Sequence, residues 1–251
     1  MWPFRPALFG TVLFALLLVS RPLASQAQEK AISTDRPDRA ETPTTVGPGV
    51  VQLETGVSLT REDGQSFTSF PTLVRIGTGE RWEFRIESDL LHLQNPGADS
   101  FHDVVVGAKV TLHEDERTHW GLIFDARIPV GIAEVRGSFE PEIKALHEHE
   151  FKNDFTLELN VGLSVPEDEE ARLMSYSWAA SLSHPVSGKL DAYLELFGEG
   201  REKSGESSQV GVDGGFTYQP SDDLQFDISY AKGLSSFGLD WSVGLGASTR
   251  F

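Results

Sequence analysis

The strongest constraint in this sequence is an alternation of period two that returns twelve times. Around residues 80–90, Trp82, Phe84 and Ile86 alternate with Arg81, Glu83, Arg85 and Glu87. Successive side chains of an extended chain point to opposite faces, so the stretch is a strand with one apolar and one charged face. Strands of the same kind are predicted at 50–60, 70–76, 103–113, 119–128, 139–145, 154–163, 174–182, 190–197, 210–218, 224–230 and 241–251. The weakest of them is 139–145, where Glu142 and Lys144 stand opposite Ile143 and Ala145.

The minor face of these strands is charged again and again: Arg81, Glu83, Arg85, Glu87, Lys109, Asp125, Arg127, Glu142, Lys144, Glu158, Asp191, Glu195, Asp213, Asp227 and Arg250. A soluble barrel turns its apolar face inward, and twelve such strands would enclose a wide apolar cavity. A membrane barrel inverts this, with lipid outside and a hydrated, ion-paired lumen. The expected fold is therefore all-β: a single closed antiparallel transmembrane β-barrel of about 12 strands in an up-and-down meander, spanning 50–251. The even strand number fits, as does a strand length near the ~9–11 residues that a tilted transmembrane strand needs. Trp82, Trp120, Tyr218, Trp241 and Phe251 sit near strand ends on the apolar face, where interfacial girdles form.

Connections give a second test. One set (GTGE, HEDERT, a segment around EHEFKN, SHPVSGK, QPSDD) is tight, and the other (LTREDGQS, HLQNPGADSFH, PVGIAEVRGSF, VPEDEEAR, GEGREKSGESS, KGLSSFGLD) is longer and more polar. With both termini in the periplasm, the tight set consists of periplasmic turns.

The address agrees. Residues 1–27 hold no acid, carry Arg5 before the apolar run ALFGTVLFALLLV, and end in small residues, which reads as a signal peptide cleaved after Ala27. Residues 28–49 are rich in Pro, Thr and charge without apolar period, so they form an extended N-terminal segment rather than a strand. The chain carries 38 acids against 21 Lys and Arg, which argues against a nucleic-acid partner. It contains no Cys, which excludes disulfides and thiolate metal sites.

Two stretches carry a resemblance: STDRPDRAETPTTVGPGVVQLETGVSLTR (33–61) and DDLQFDISYAKGLSSFGLDWSVGLGASTRF (222–251). With Thr34–Pro37, Val46–Gly49 and Gln52–Gly56 as its marks, the chain resembles the meta-pathway phenol-degradation transporter family. The resemblance implies an outer-membrane barrel that passes aromatic or other hydrophobic compounds. The family has no agreed functional residues to carry over.

The candidate site is the lumen wall: Arg81, Glu83, Arg85, Glu87, Lys109, Asp125, Arg127, Glu158, Asp191, Glu195, Asp213 and Asp227. Such charges either select ions or hold the interior together by cross-strand pairing, and structure is the favoured role. Asp35, Arg36, Asp38 and Arg39 are placed to thread the lumen as a plug and pair with wall charges. Phe251 closes the last strand as an assembly signal for the barrel assembly machinery. HEHE (147–150) is expected in a solvated turn and offers no third metal ligand, so neither metal nor cofactor is expected. Ser88 and His92 share the outward face of one strand but lack an orienting partner, so no catalysis is expected. The expected partners are outer-membrane lipid, lipopolysaccharide and a small permeant. A channel is the first functional reading, a structural or adhesive surface barrel the second, and an exported soluble β-protein the third.

Overall fold

An isolated amphipathic strand leaves its backbone amides and carbonyls unpaired along both edges; pairing each strand with its neighbours and closing the sheet removes the problem. The computed structural model, which describes residues 31–94, 103–131, 138–165, 174–201 and 208–251, takes this solution. Its strands are β1 (Val51–Glu62), β2 (Gln65–Gly77), β3 (Trp82–Gln94), β4 (Val104–Glu114), β5 (Thr118–Ile128), β6 (Glu140–Glu150), β7 (Thr156–Ser164), β8 (Ser175–Ser187), β9 (Leu190–Arg201), β10 (Gln209–Ser221), β11 (Leu224–Gly233) and β12 (Leu239–Arg250). Each pairs antiparallel with its sequence neighbours, and β1 pairs with β12 to close the barrel. At the seam, the Phe251 amide donates to the Val51 carbonyl at 2.9 Å and the Val51 amide returns the bond at 3.3 Å.

Both ends of the barrel domain therefore meet at one rim, the terminal end. The five connections there are two to five residues long, while four of the six at the opposite, distal end run from seven to eleven. The exceptions are the β11–β12 connection, of five residues, and the β1–β2 connection, of two. The latter is expected as a polar loop, but LTREDGQS is mostly strand and turns on Asp63 (φ 47°) and Gly64 (φ 77°) alone. Positive φ at both central residues is the two-residue hairpin that Asp-Gly favours.

A second correction concerns HEHE. It lies inside β6, not in a turn. His147 stacks on Trp120 of β5 with ring centroids 4.1 Å apart, and His149 meets Phe151 edge-on at 4.8 Å. The imidazoles thus belong to an outward aromatic belt near the terminal rim. Residues 1–30, including the expected signal peptide, lie outside the described residues, as do most of the longer distal connections.

Side-chain exposure settles the polarity. Along β3, Trp82 and Phe84 are 50% and 58% exposed, whereas Glu83 and Arg85 are 1% and 2% exposed. Leu159, Val161, Leu163, Leu194, Leu196, Ile228 and Leu245 are likewise exposed, while Arg75, Lys109, Glu54 and Glu195 are fully buried. In water this arrangement would expose a continuous apolar band and bury charge. In a bilayer it places hydrocarbon against acyl chains. Some inward positions are apolar, Ile123, Leu146, Leu73 and Phe197 among them, and are buried on the lumen side.

Candidate functional site

The lumen wall has two electrostatic sides, because its inward cations gather on β2–β6 while β7–β11 contribute carboxylates. Arg75 (β2), Arg85 (β3), Lys109 (β4) and Lys144 (β6) make a basic arc, with Glu54 (β1) and Glu83 (β3) interspersed. Glu158 (β7), Glu195 (β9), Asp213 (β10) and Asp227 (β11) make an acidic arc. A buried charge without a partner is costly. What partners these two arcs is the N-terminal segment.

Residues 31–49 run inside the barrel. The segment enters at the terminal end, where the Ile32 amide donates to the Asp222 carbonyl at 2.8 Å. Asp35 then meets the basic arc: Lys109 Nζ lies 2.7 Å from its Oδ1, Arg85 Nη1 lies 2.7 Å from its Oδ2, and Arg75 Nη1 is 3.6 Å away. Arg36 turns to the acidic arc and grips Asp227 with Nη2 and Nε at 3.0 and 3.3 Å. Its guanidinium lies over Gly56 and Gly246, where a β-carbon would come within 2.7 and 2.4 Å of Nη2. Glu41 returns to the basic arc, with Lys144 Nζ 2.6 Å from Oε2 and Arg85 bonded to Oε1. The chain doubles back through Pro43, whose carbonyl accepts from Thr111 Oγ1 at 2.8 Å, and reaches β1 at Val51.

An extended segment has no ladder of its own, so its amides need other acceptors. Wall carboxylates supply them. Glu54 accepts from the Asp35 and Arg36 amides at 3.0 and 3.1 Å, and Glu195 accepts from the Arg39 and Ala40 amides at 3.0 and 2.7 Å. Glu83 accepts from the Val46 amide at 2.8 Å. Asn160 binds Glu41 at both ends, accepting from its amide at 2.7 Å and donating to its carbonyl at 3.1 Å. Arg75 ties segment to wall: it donates to the Thr44 and Ser33 carbonyls at 2.7 and 3.0 Å while chelating Glu83 at 2.8 and 3.0 Å.

The segment's own acids feel the two sides differently. Burial works to raise the Asp35 carboxyl, but Arg75, Lys109 and Arg85 outweigh it and hold it far below the usual range. Burial is likewise overcome at Glu41, which Arg85 and Lys144 hold at about 2. Asp38 has no such cations. Burial, with Glu195 beside it, pushes its carboxyl up to about 8. A charge at Asp38 therefore opposes seating, whereas charges at Asp35 and Glu41 favour it.

Beyond the segment the lumen opens toward the distal end as a vestibule of about 610 Å³. Arg39 and Lys144 lie toward its floor, and Arg127, Glu140, Glu142 and Phe237 are among its walls. Arg127 pairs with Glu140 at 3.6 Å.

The sequence-predicted wall residues fall into groups. Glu83, Arg85, Lys109, Glu195 and Asp227 contact the segment directly. Asp125 and Arg127 line the vestibule. Glu158 and Asp213 face Asp38 on the acidic side. Glu87 is exposed and Asp191 half-buried; Glu87 lies near the charges of Arg85, Glu41 and Lys144 without a direct bond to the segment among the described residues. Arg81 is not on the wall: it precedes β3, is exposed, and reaches the Leu112 carbonyl at 3.5 Å. The sequence-predicted set omits Arg75, Glu54, Glu41 and Asn160, although Arg75, Glu54 and Asn160 share the face parity that identifies the others. Among the described residues no group of His, Asp or Glu is arranged to hold a metal ion.

A family model described as "Putative MetA-pathway of phenol degradation" matches residues 34–251. A comparison with curated proteins finds no match. Among solved structures, the COG4313 outer membrane channel from Pseudomonas putida F1 superposes with a TM-score of 0.64 at 11% identity, covering 91% of this chain and 100% of that one. The KdgM porin superposes with a TM-score of 0.58 at 9% identity, covering 80% and 99%. A second KdgM structure, in complex with disordered oligogalacturonate, gives 0.56 at 8% identity over 80% and 99%. At these identities the likeness is one of fold.

Proposed function

Because this chain belongs to the MetA-pathway phenol-degradation family, we propose that it is an outer-membrane channel for passive passage of small solutes, with its N-terminal segment setting the open bore. The observation that carries this reading is the polarity of the barrel: an apolar outer face around a charged lumen that leads into a vestibule. The likeness in fold to channels and porins supports it. Between the backbone bonds of Ile32 and Gly49 at its two ends, the segment is held by side-chain bonds and ion pairs, so it can leave without breaking the β-ladder. The vestibule combines charged groups with Phe197 and Phe237. That mixture suits a small polar solute bearing an apolar or aromatic part better than a bare hydrocarbon.

No catalytic role is proposed, since the Ser88 hydroxyl donates to the Asp103 carbonyl at 3.2 Å and the His92 side chain lies outside the described residues. The outer face would meet phospholipid and lipopolysaccharide, and the strand ending at Phe251 would be read by the assembly machinery.

The same seated segment favours a second reading, a sealed barrel that acts through its surface loops. Planar-bilayer recordings separate the two. The channel reading expects small unitary currents from the wild type and severalfold larger ones after deletion of residues 31–45, with folding checked by heat-modifiable gel mobility. Silence from both proteins favours the sealed barrel. Equal conductance from both removes the segment from the mechanism.

A further inference from the structure

Strands β9 and β10 build an arrangement that seating of the segment uses only in part, through Glu195. Tyr193, Glu195 and Phe197 face inward along β9, and directly opposite them on β10 stand Gly215, Asp213 and Gly211. A β-carbon at position 211 would lie 2.3 Å from the Phe197 ring, and one at 215 would lie 2.9 Å from the Tyr193 ring. The two glycines thus let both rings lie down across β10, one on each side of Asp213. Tyr193 and Phe197 are 8% exposed, Asp213 6% and Glu195 0%.

Aromatic faces flanking a pair of carboxyl groups are the chemistry of a cation cage. The resident cation is Arg39, whose guanidinium carbon lies 4.1 Å from the Phe197 ring centroid. It holds this place weakly. Its backbone amide is bound by Glu195, yet among the described residues its guanidinium forms no ion pair. It is exposed toward the vestibule. Meanwhile the Asp213 carboxyl and the Tyr193 hydroxyl are buried beside each other and Glu195. Both are polar groups at the cage to which the Arg39 guanidinium donates no hydrogen bond among the described residues.

We propose that Tyr193, Glu195, Phe197 and Asp213 form a binding seat for small organic cations of the ammonium or guanidinium class, which compete for it with Arg39 of the protein's own N-terminal segment. The proposal rests on the channel reading for its route of access and deepens it, since a cation that displaces Arg39 loosens the segment from within the vestibule. The opposite use of the same residues, Arg39 as an anchor for an anion, makes the opposite prediction for its removal.

The test is calorimetric titration of the full-length protein in detergent micelles with methylguanidinium, using acetate as the anionic probe. If Arg39 occupies the seat nine-tenths of the time, it lowers apparent affinity about tenfold, so Arg39→Gln binds methylguanidinium about tenfold more tightly than wild type. Adding Phe197→Leu or Asp213→Asn to Arg39→Gln reverses the gain. Unchanged or weaker methylguanidinium binding by Arg39→Gln overturns the proposal. So does acetate binding that is present in wild type and lost in that variant. Binding is read at equilibrium and conduction separately in bilayers. Tight cation binding without current would sink the channel reading alone, and current without cation binding would sink the seat alone.

Discussion

Replacing Asp35 by Asn should release the N-terminal segment while leaving the barrel intact. Asp35 lies among Lys109, Arg85 and Arg75, at 2.7, 2.7 and 3.6 Å, and holds the first two more closely than Glu83 does. Removing one member of a buried ion pair costs about 3–5 kcal/mol, because the remaining charge stays buried without compensation. Here the lower end applies. Arg75 keeps Glu83 and Glu54, Arg85 keeps Glu41, and Lys109 has Glu83 at 3.8 Å. A loss of about 3 kcal/mol lowers the seated-to-released ratio by roughly two orders of magnitude, at about 1.4 kcal/mol per factor of ten. Amide hydrogen exchange reads this directly. The amides of Arg39, Ala40, Glu41 and Val46, bound to wall side chains in the wild type, should exchange roughly a hundredfold faster in the variant. Amides of β1 and β12 should not change. Undiminished protection of those four amides would refute the reasoning, since it would mean that the basic arc does not hold the segment.

Arg36→Gln should loosen the same region less, by about 1–2 kcal/mol, because its bond to Asp227 is charge-assisted but the arginine side chain is partly exposed; exchange at the Arg36 amide checks it. The seated Asp38 carboxyl holds its proton up to about 8, against 3.8 in a free chain. Its favourable contribution to seating is complete below about pH 4 and declines as pH rises through 8. Asp35 and Glu41, shifted the other way, contribute above about pH 4 and lose that contribution only in stronger acid. A nitroxide placed on the segment should therefore gain mobility between about pH 5 and 8, and Asp38→Asn should flatten that response; an unchanged pH response in the variant would count against Asp38. On the outer face, Leu194→Arg should destabilise the barrel in liposomes by about 2–4 kcal/mol if residue 194 lies near the bilayer midplane, measured by denaturant titration. A cost near zero would mean that this face does not meet hydrocarbon.

The strands were legible because period two survives translation into space unchanged, and one parity of each strand is uniformly apolar. The β1–β2 hairpin was less so. Ser58, Thr60, Gln65 and Ser66 make both ends look like loop, although the Asp63–Gly64 pair at the centre carries the turn signal. HEHE failed for a related reason: imidazoles read as polar, yet His147 uses its ring face against Trp120. The extended character of residues 28–49 followed from composition. Its particular partners did not. Glu41 meets Lys144 and Arg85 only after the chain has turned back on itself, which no local pattern encodes. The cage on β9 was hidden because Phe197 and Tyr193 are apolar-type residues on the charged parity, and only the facing glycines at 211 and 215 mark them as inward.

The orientation of every strand about the bilayer is the claim on which the rest depends. The chain has no native cysteine, and β8 alternates small inward residues (Ser177, Ala179, Ser181, Ser183) with outward Tyr176, Trp178, Ala180 and Leu182. Single-cysteine spin labels along 176–183 in liposomes should therefore show lipid-dissolved oxygen colliding with labels at the even positions, while the odd positions stay shielded from it. Oxygen access at the odd positions, with an aqueous nickel chelate reaching the even ones, would contradict the account.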